Sequence, residues 1–169
     1  MPTVLILGGT GFIGRHFVEY LLSNNLSESI RVVDKTTPGL AYLNARQKKL
    51  FEDPRVEFKQ ANLCTTGTLL LCYPGWVDLV AGIEKAFDGK TFDYVFNLAA
   101  ETKYGQDEVV YDEKVHKLSV NLGKEAAKRC VKVFVEVSTA QVYDGDKVFF
   151  IFMLFVFILV RKTVPKKAR

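Results

Sequence analysis

The stretch TVLILGGTGFIG, Thr3 to Gly14, decides the fold. Its first five residues, Thr3–Leu7, are apolar and rich in β-branched side chains, the composition of a parallel strand buried on both faces. Three glycines, Gly8, Gly11 and Gly14, then stop the run with the spacing G-x-x-G-x-x-G. Behind them Phe12, Ile13, Phe17, Val18, Leu21 and Leu22 recur at helical spacing, which predicts an amphipathic helix over 12–23. Glycines between a strand and a helix permit a tight turn and let the backbone approach a pyrophosphate closely. The helix start offers free N–H groups and the positive end of its dipole to the phosphates. The residues this assigns to a bound dinucleotide are Gly8, Thr10, Gly11, Phe12, Ile13 and Gly14.

Working outward, Ile30–Asp34 (IRVVD) is a second strand, and Asp34 stands 20 residues beyond Gly14. A carboxylate closing the second strand accepts hydrogen bonds from the adenosine ribose hydroxyls and repels a 2′-phosphate, which favours NAD over NADP. Lys35 beside it works in the opposite direction. Pro38-Gly39 is a turn, Leu40–Phe51 a helix with basic residues on one side, and Val56–Gln60 a third strand. Residues 64–76 (CTTGTLLLCYPGW) fit neither period. A helix over 77–87, a strand over Tyr94–Leu98, a long helix over Asp112–Cys130 and a strand over Val133–Val137 follow. In the long helix Val115, Leu118, Leu122 and Ala126 share one face. Strands alternating with helices predict a doubly wound parallel α/β sheet covered on both faces. The domain boundaries expected are a dinucleotide-binding domain of Rossmann type over 1–147 and an apolar segment with a basic end over 148–169.

Composition agrees. The 169 residues are 49% hydrophobic and 25% charged, enough for one domain and a tail and unlike a disordered or repetitive chain. The net charge of +4 is misleading, because five basic residues (Arg161, Lys162, Lys166, Lys167, Arg169) and no acid follow Lys147, leaving the first 147 residues at −1. So neutral a body lacks the basic face that nucleic-acid binding requires. Cys64, Cys72 and Cys130 are odd in number and form no C-x-x-C pair, which argues against a disulfide framework or a zinc site; half-buried thiols and no metal are expected. The start MPTVLILGG has no basic region and no cleavage pattern, so a reducing cytoplasmic address is expected.

Taken in order, GGTGFIG, VVD, ANL, FNLAAET, VNLGKEAAKRC and VEVSTAQVY resemble the extended short-chain dehydrogenase/reductases over about residues 3–145. The chain is similar to the NAD-dependent epimerase/dehydratase branch, which acts mainly on nucleotide sugars, with the 3β-hydroxysteroid dehydrogenase branch as neighbour. The resemblance implies an NAD cofactor, a nucleotide-sugar or steroid-like substrate, and dimerisation through helices of the domain. It places Asn62 and Leu63 near the adenine, with Asn62 where the family usually has aspartate. It makes Ala99 and Ala100 small residues lining the cofactor, and Asn121 the helix asparagine that holds an ordered water in the proton relay. Thr139 matches the Ser/Thr that hydrogen-bonds the substrate oxygen, with Ser138 as the alternative. Tyr143 belongs to the strand-end motif.

The family's general acid/base is a tyrosine in Y-x-x-x-K on the helix after strand five, where the lysine lowers the phenol pKa. The seven tyrosines are Tyr20, Tyr42, Tyr73, Tyr94, Tyr104, Tyr111 and Tyr143, so none follows position 143. Tyr143–Lys147 has the spacing, but it contains a glycine and lies close to strand five, so it reads as a turn. The expectation is therefore a cofactor-binding half, truncated before the catalytic pair and substrate lobe and inactive alone. The alternative is a non-catalytic NAD-binding or membrane-attached partner-binding module. The run 148–160 (VFFIFMLFVFILV) is 13 residues without charge, about 20 Å as a helix and short of a ~30 Å hydrocarbon core. Three readings stay open for it: a marginal membrane anchor, a strand or helix completing the sheet, and a stretch with no selected role.

Overall fold

The computed structural model describes residues 1–64, 81–103, 105–138 and 155–160. Along the chain they form β1 (Thr3–Leu7), α1 (Phe12–Ser23), β2 (Ser29–Asp34), α2 (Ala45–Leu50), β3 (Val56–Gln60), α3 (Ala81–Phe87) and β4 (Tyr94–Asn97). There follow α4 (Glu108–Tyr111), a π-helical segment (Asp112–Lys117), α5 (Leu118–Lys128), β5 (Val133–Ser138) and β6 (Phe155–Val160). The sheet order is β3-β2-β1-β4-β5-β6. The first five strands are mutually parallel and β6 is antiparallel to β5.

The layers follow from the apolar runs. In β1 the side chains alternate between two cores. Val4 and Ile6 join Ile30, Val32 and Val56 beneath Val18, Leu21 and Leu22 of α1. Leu5 and Leu7 join Val33, Val95 and Phe134 beneath Phe87 of α3 and Leu118, Leu122 and Ala126 of α5. A strand so covered has no polar face, which is why TVLIL reads as unbroken apolarity. Register places the strand ends level: Leu7 pairs with Val33 and Asn97, Asp34 with Gln60, and Asn97 with Glu136. All the carboxyl ends of the parallel strands therefore open on one edge, where a doubly wound sheet keeps its ligand crevice.

One polar side chain crosses the second core. Arg31 of β2 is 2% exposed. Its guanidinium meets the Glu57 carboxylate on β3, donates to the Ala86 and Asp88 carbonyls at 3.1 and 2.5 Å, and stands over the Phe92 ring. It thereby neutralises the carbonyl end of α3 and ties that helix to β2 and β3. Burial pushes the Glu57 carboxyl up, but hydrogen bonds from Lys90 and Arg31 outweigh it and hold the group below the usual range.

Several boundaries differ from expectation. The helix expected over Leu40–Phe51 begins only at Ala45, because Asn44 caps it: the Asn44 side chain accepts the Gln47 N–H at 2.8 Å and Gln47 returns the bond. The long helix expected over Asp112–Cys130 starts earlier, at Glu108, and widens to π-helical geometry over Asp112–Lys117. It ends at Lys128, and Cys130 then takes φ 58°, so this thiol is exposed rather than half-buried. Of the helix expected over 77–87, Ala81–Phe87 is described. In the apolar tail Phe155–Val160 is a strand, so the described part completes the sheet instead of forming an anchoring helix. No helix among the described residues is long and apolar enough to cross a membrane. The segment 64–76 beyond Cys64, with Cys72, and the tail outside 155–160 lie outside the described residues.

Candidate functional site

The site is built first from backbone. Gly8 leaves β1 at φ +78°, a conformation that favours glycine. A Cβ there would stand 2.8 Å from Ala99 N and 2.9 Å from Leu98 C, so the absence of a side chain lets the loops after β1 and β4 touch. The Gly8 N–H donates to Val33 O at 2.8 Å, and its carbonyl accepts the Gly11 N–H at 3.2 Å. Gly14 closes the turn on itself: a Cβ would lie 2.5 Å from Gly9 Cα. Gly11 caps α1 without a side-chain acceptor. The first-turn N–H groups at Phe12, Ile13 and Gly14 therefore have no side-chain partner at the helix end, the kind of donor set that could hold a phosphate. Phe12 and Ile13 stand exposed around it.

Asp34 locks this loop to β2. Its Oδ2 accepts the Thr10 N–H at 3.1 Å and its Oδ1 the Thr36 N–H at 3.1 Å. Thr10 is buried and its hydroxyl donates to Thr36 O at 3.3 Å. Each carboxylate oxygen keeps a second lone pair for a ribose hydroxyl. Leu63 is buried after β3, while Asn62 is exposed with its Oδ1 accepting the Cys64 N–H at 3.2 Å. Burial raises the Cys64 thiol pKa, so it is no ready nucleophile.

Ala99 and Ala100 follow β4, half-buried and exposed respectively. Asn121 is half-buried on α5. Ser138 ends β5, and Thr139 lies outside the described residues, as do Tyr143 and Lys147. The sheet thus gathers Gly8, Thr10, Asp34, Leu63, Ala99 and Ser138 along one edge.

Sequence reading missed a polar cluster at the same edge, with Asn97 buried and Glu136 and Ser119 half-buried. Asn97 is 1% exposed, and its Nδ2 donates to both oxygens of Glu136 at 2.9 Å. Its Oδ1 accepts the Ala99 N–H at 3.1 Å. Ser119 of α5 donates to Glu136 Oε1 at 2.8 Å. Burial pushes the Glu136 carboxyl above the ordinary range, against those hydrogen bonds. The signal available was an acid inside the apolar run VFVEVS. Gly9 was also missed; its lack of a side chain makes room for Val32 and Ile6.

A profile of the NAD dependent epimerase/dehydratase family matches residues 4–150. The chain belongs to that family. Over 150 residues it is 29% identical to a dTDP-glucose 4,6-dehydratase of Actinoplanes sp., covering 84% of this chain and 41% of the relative. A dTDP-glucose 4,6-dehydratase of Bacillus anthracis, solved in complex with NAD, shares 26% identity at a TM-score of 0.59, over 89% of this chain and 42% of that one. A UDP-glucuronic acid 4-epimerase of Bacillus cereus, also solved with NAD, superposes at a TM-score of 0.62 with 22% identity, over 86% of this chain and 42% of that one, and supports the fold. The chain thus spans about two fifths of the length of the curated relative it matches.

Proposed function

We propose that this chain binds NAD across the carboxyl edge of its sheet, as the cofactor-binding part of a nucleotide-sugar epimerase or dehydratase. The observation that carries the reading is Asp34. It is fixed by the Thr10 and Thr36 N–H groups beside the glycine turn, and this leaves it acceptor capacity for ribose hydroxyls. Gly8, Gly11 and Gly14 give the pyrophosphate its approach, the N–H groups of Phe12 and Ile13 bind it, and Asn62 and Leu63 border the adenine. Ala99 and Ala100 leave room for the remainder of the dinucleotide. A negative charge at Asp34 disfavours a 2′-phosphate, so NAD is preferred to NADP.

When bound, NAD supplies the hydride acceptor for oxidation of a sugar hydroxyl. Thr139, with Ser138 as the alternative, hydrogen-bonds the substrate oxygen, and Asn121 holds an ordered water. The dTDP- and UDP-sugar enzymes among the relatives support a nucleotide sugar as substrate class. No tyrosine follows Tyr143 in this sequence, so residues 1–169 hold cofactor without turnover by themselves. Isothermal titration with NAD and NADP tests the reading. Saturable NAD binding, tighter than NADP by tenfold or more, is expected; equal or reversed affinities overturn the role of Asp34. NAD reduction by the purified chain with dTDP- or UDP-sugars overturns the absence of turnover.

A further inference from the structure

We infer that Glu136 is a positioning residue: through Asn97 it fixes the turn at Ala99 that closes against the glycine loop. An Asn side chain has two orientations that differ only by exchanging its amide N and O. Asn97 must present Oδ1 to the Ala99 N–H, and a 180° turn would set two donors against each other. Glu136 removes the ambiguity. It is paired with Asn97 across β4 and β5, and its two oxygens both accept from Asn97 Nδ2. A carboxylate accepts only, so it admits the nitrogen and rejects the oxygen. Ser119 reaches over from α5 and holds Glu136 Oε1. The chain of contacts then runs Ser119, Glu136, Asn97, Ala99 N–H, and finally Gly8, whose missing Cβ is what lets Ala99 come so close.

A carboxylate in a central parallel strand costs desolvation, and Glu136 has no cationic partner among the described residues. Valine or isoleucine would serve β5 better as packing. The presence of an acid there is accounted for by orienting Asn97. This inference rests on the NAD-binding reading only for its consequence, since the orientation itself belongs to the protein without ligand.

Glu136→Val, chosen because valine suits a buried parallel strand, and Glu136→Gln, which keeps one acceptor for Asn97, separate positioning from mere packing. Amide hydrogen exchange by NMR reads the turn directly. In Glu136→Val, protection of the Ala99 N–H falls by tenfold or more relative to the Ile6 N–H, which follows global stability. In Glu136→Gln most of it returns. NAD affinity, measured by calorimetry on the folded proteins, drops about tenfold in Glu136→Val and by threefold or less in Glu136→Gln. In the wild-type chain itself the Asn97 side-chain amide protons exchange slowly. Ala99 protection that tracks Ile6 in a folded Glu136→Val overturns the inference, and fast exchange of the Asn97 amide in the wild type does so whether or not that variant folds. A wild-type chain that shows the exchange pattern but binds no NAD refutes the function proposed above and leaves the positioning role standing.

Discussion

The two halves of the sheet order the carboxyl ends of their strands along one edge by different means. In the first half, β1-α1-β2, the work is done by backbone: Gly8 at positive φ, Gly14 packed on Gly9, and one carboxylate, Asp34, holding two N–H groups. In the second half, β4 to β5, it is done by side chains: Asn97, Glu136 and Ser119 hold the Ala99 turn. Backbone devices tolerate no added atom, whereas side-chain devices tolerate a change that preserves donors and acceptors. The two halves should therefore fail differently.

Gly8→Ala is the largest expected loss. The new Cβ meets the backbone at Ala99 in a conformation alanine rarely adopts, and neither neighbour is a flexible side chain. A fall in unfolding free energy of about 3 kcal/mol in urea titration is expected. A loss of well under about 1 kcal/mol would mean that the two halves do not touch as described. Asp34→Ala comes next. It strands the buried Thr10 N–H and costs about 2 kcal/mol by the same measurement, together with at least tenfold in NAD affinity. Asp34→Asn, which keeps an acceptor, recovers part of the stability.

The pH dependence of stability sharpens the contrast, since the acids carry opposite signs. Asp93, ahead of β4, is held below its usual range by the Lys132 ammonium and the Thr3 N–H. Its stabilisation is present above about pH 4 and is lost as pH falls through the folded-state value. Glu136 is raised, so its contribution is greatest at low pH and is lost as pH rises through its folded-state value. Comparing wild type with Asp93→Asn, the stability difference should shrink on acidification. Comparing wild type with Glu136→Gln, the wild type should gain on the variant as pH falls. Denaturation midpoints from about pH 2 to 8 check both, the Asp93 difference changing below about pH 4.

The smallest effect concerns helix ends. Helices α1 and α5 stop in the same way: Leu26 N–H reaches Leu21 O, and Val131 N–H reaches Ala126 O. The left-handed residue is Asn25 in the first and Cys130 in the second, at φ 50° and 58°. Asparagine accepts that region more readily than cysteine. Cys130→Gly should gain about 1 kcal/mol and Asn25→Gly only a few tenths, by thermal or urea unfolding.

This division also explains what was legible beforehand. The first half is written in residue types that have few other uses: three spaced glycines, an apolar run and an acid at a strand end. The parallel sheet of five strands followed from such runs alternating with helical ones, though the strand order did not. In the second half the sequence pointed only to Ala99, Ala100 and Thr139 (with Ser138 as the alternative) after strand ends, and to Asn121 on the helix between them. Asn97 and Glu136 lie 39 residues apart and have meaning only through the register that pairs β4 with β5. Helix boundaries slipped where capping outweighed periodicity, as Asn44 does at α2. The apolar tail carried no period at all, and Phe155–Val160 became a strand because the open edge of β5 supplied partners.

The central claim, that the crevice at these strand ends holds NAD, is tested most directly by thermal unfolding of the full chain with increasing NAD. Free NAD at a hundred times its dissociation constant would add about 2.7 kcal/mol and raise the midpoint of a cooperative transition by roughly 5–10 °C. Asp34→Ala would cut that shift sharply. An unchanged midpoint at millimolar NAD, or an equal shift in Asp34→Ala, would contradict it.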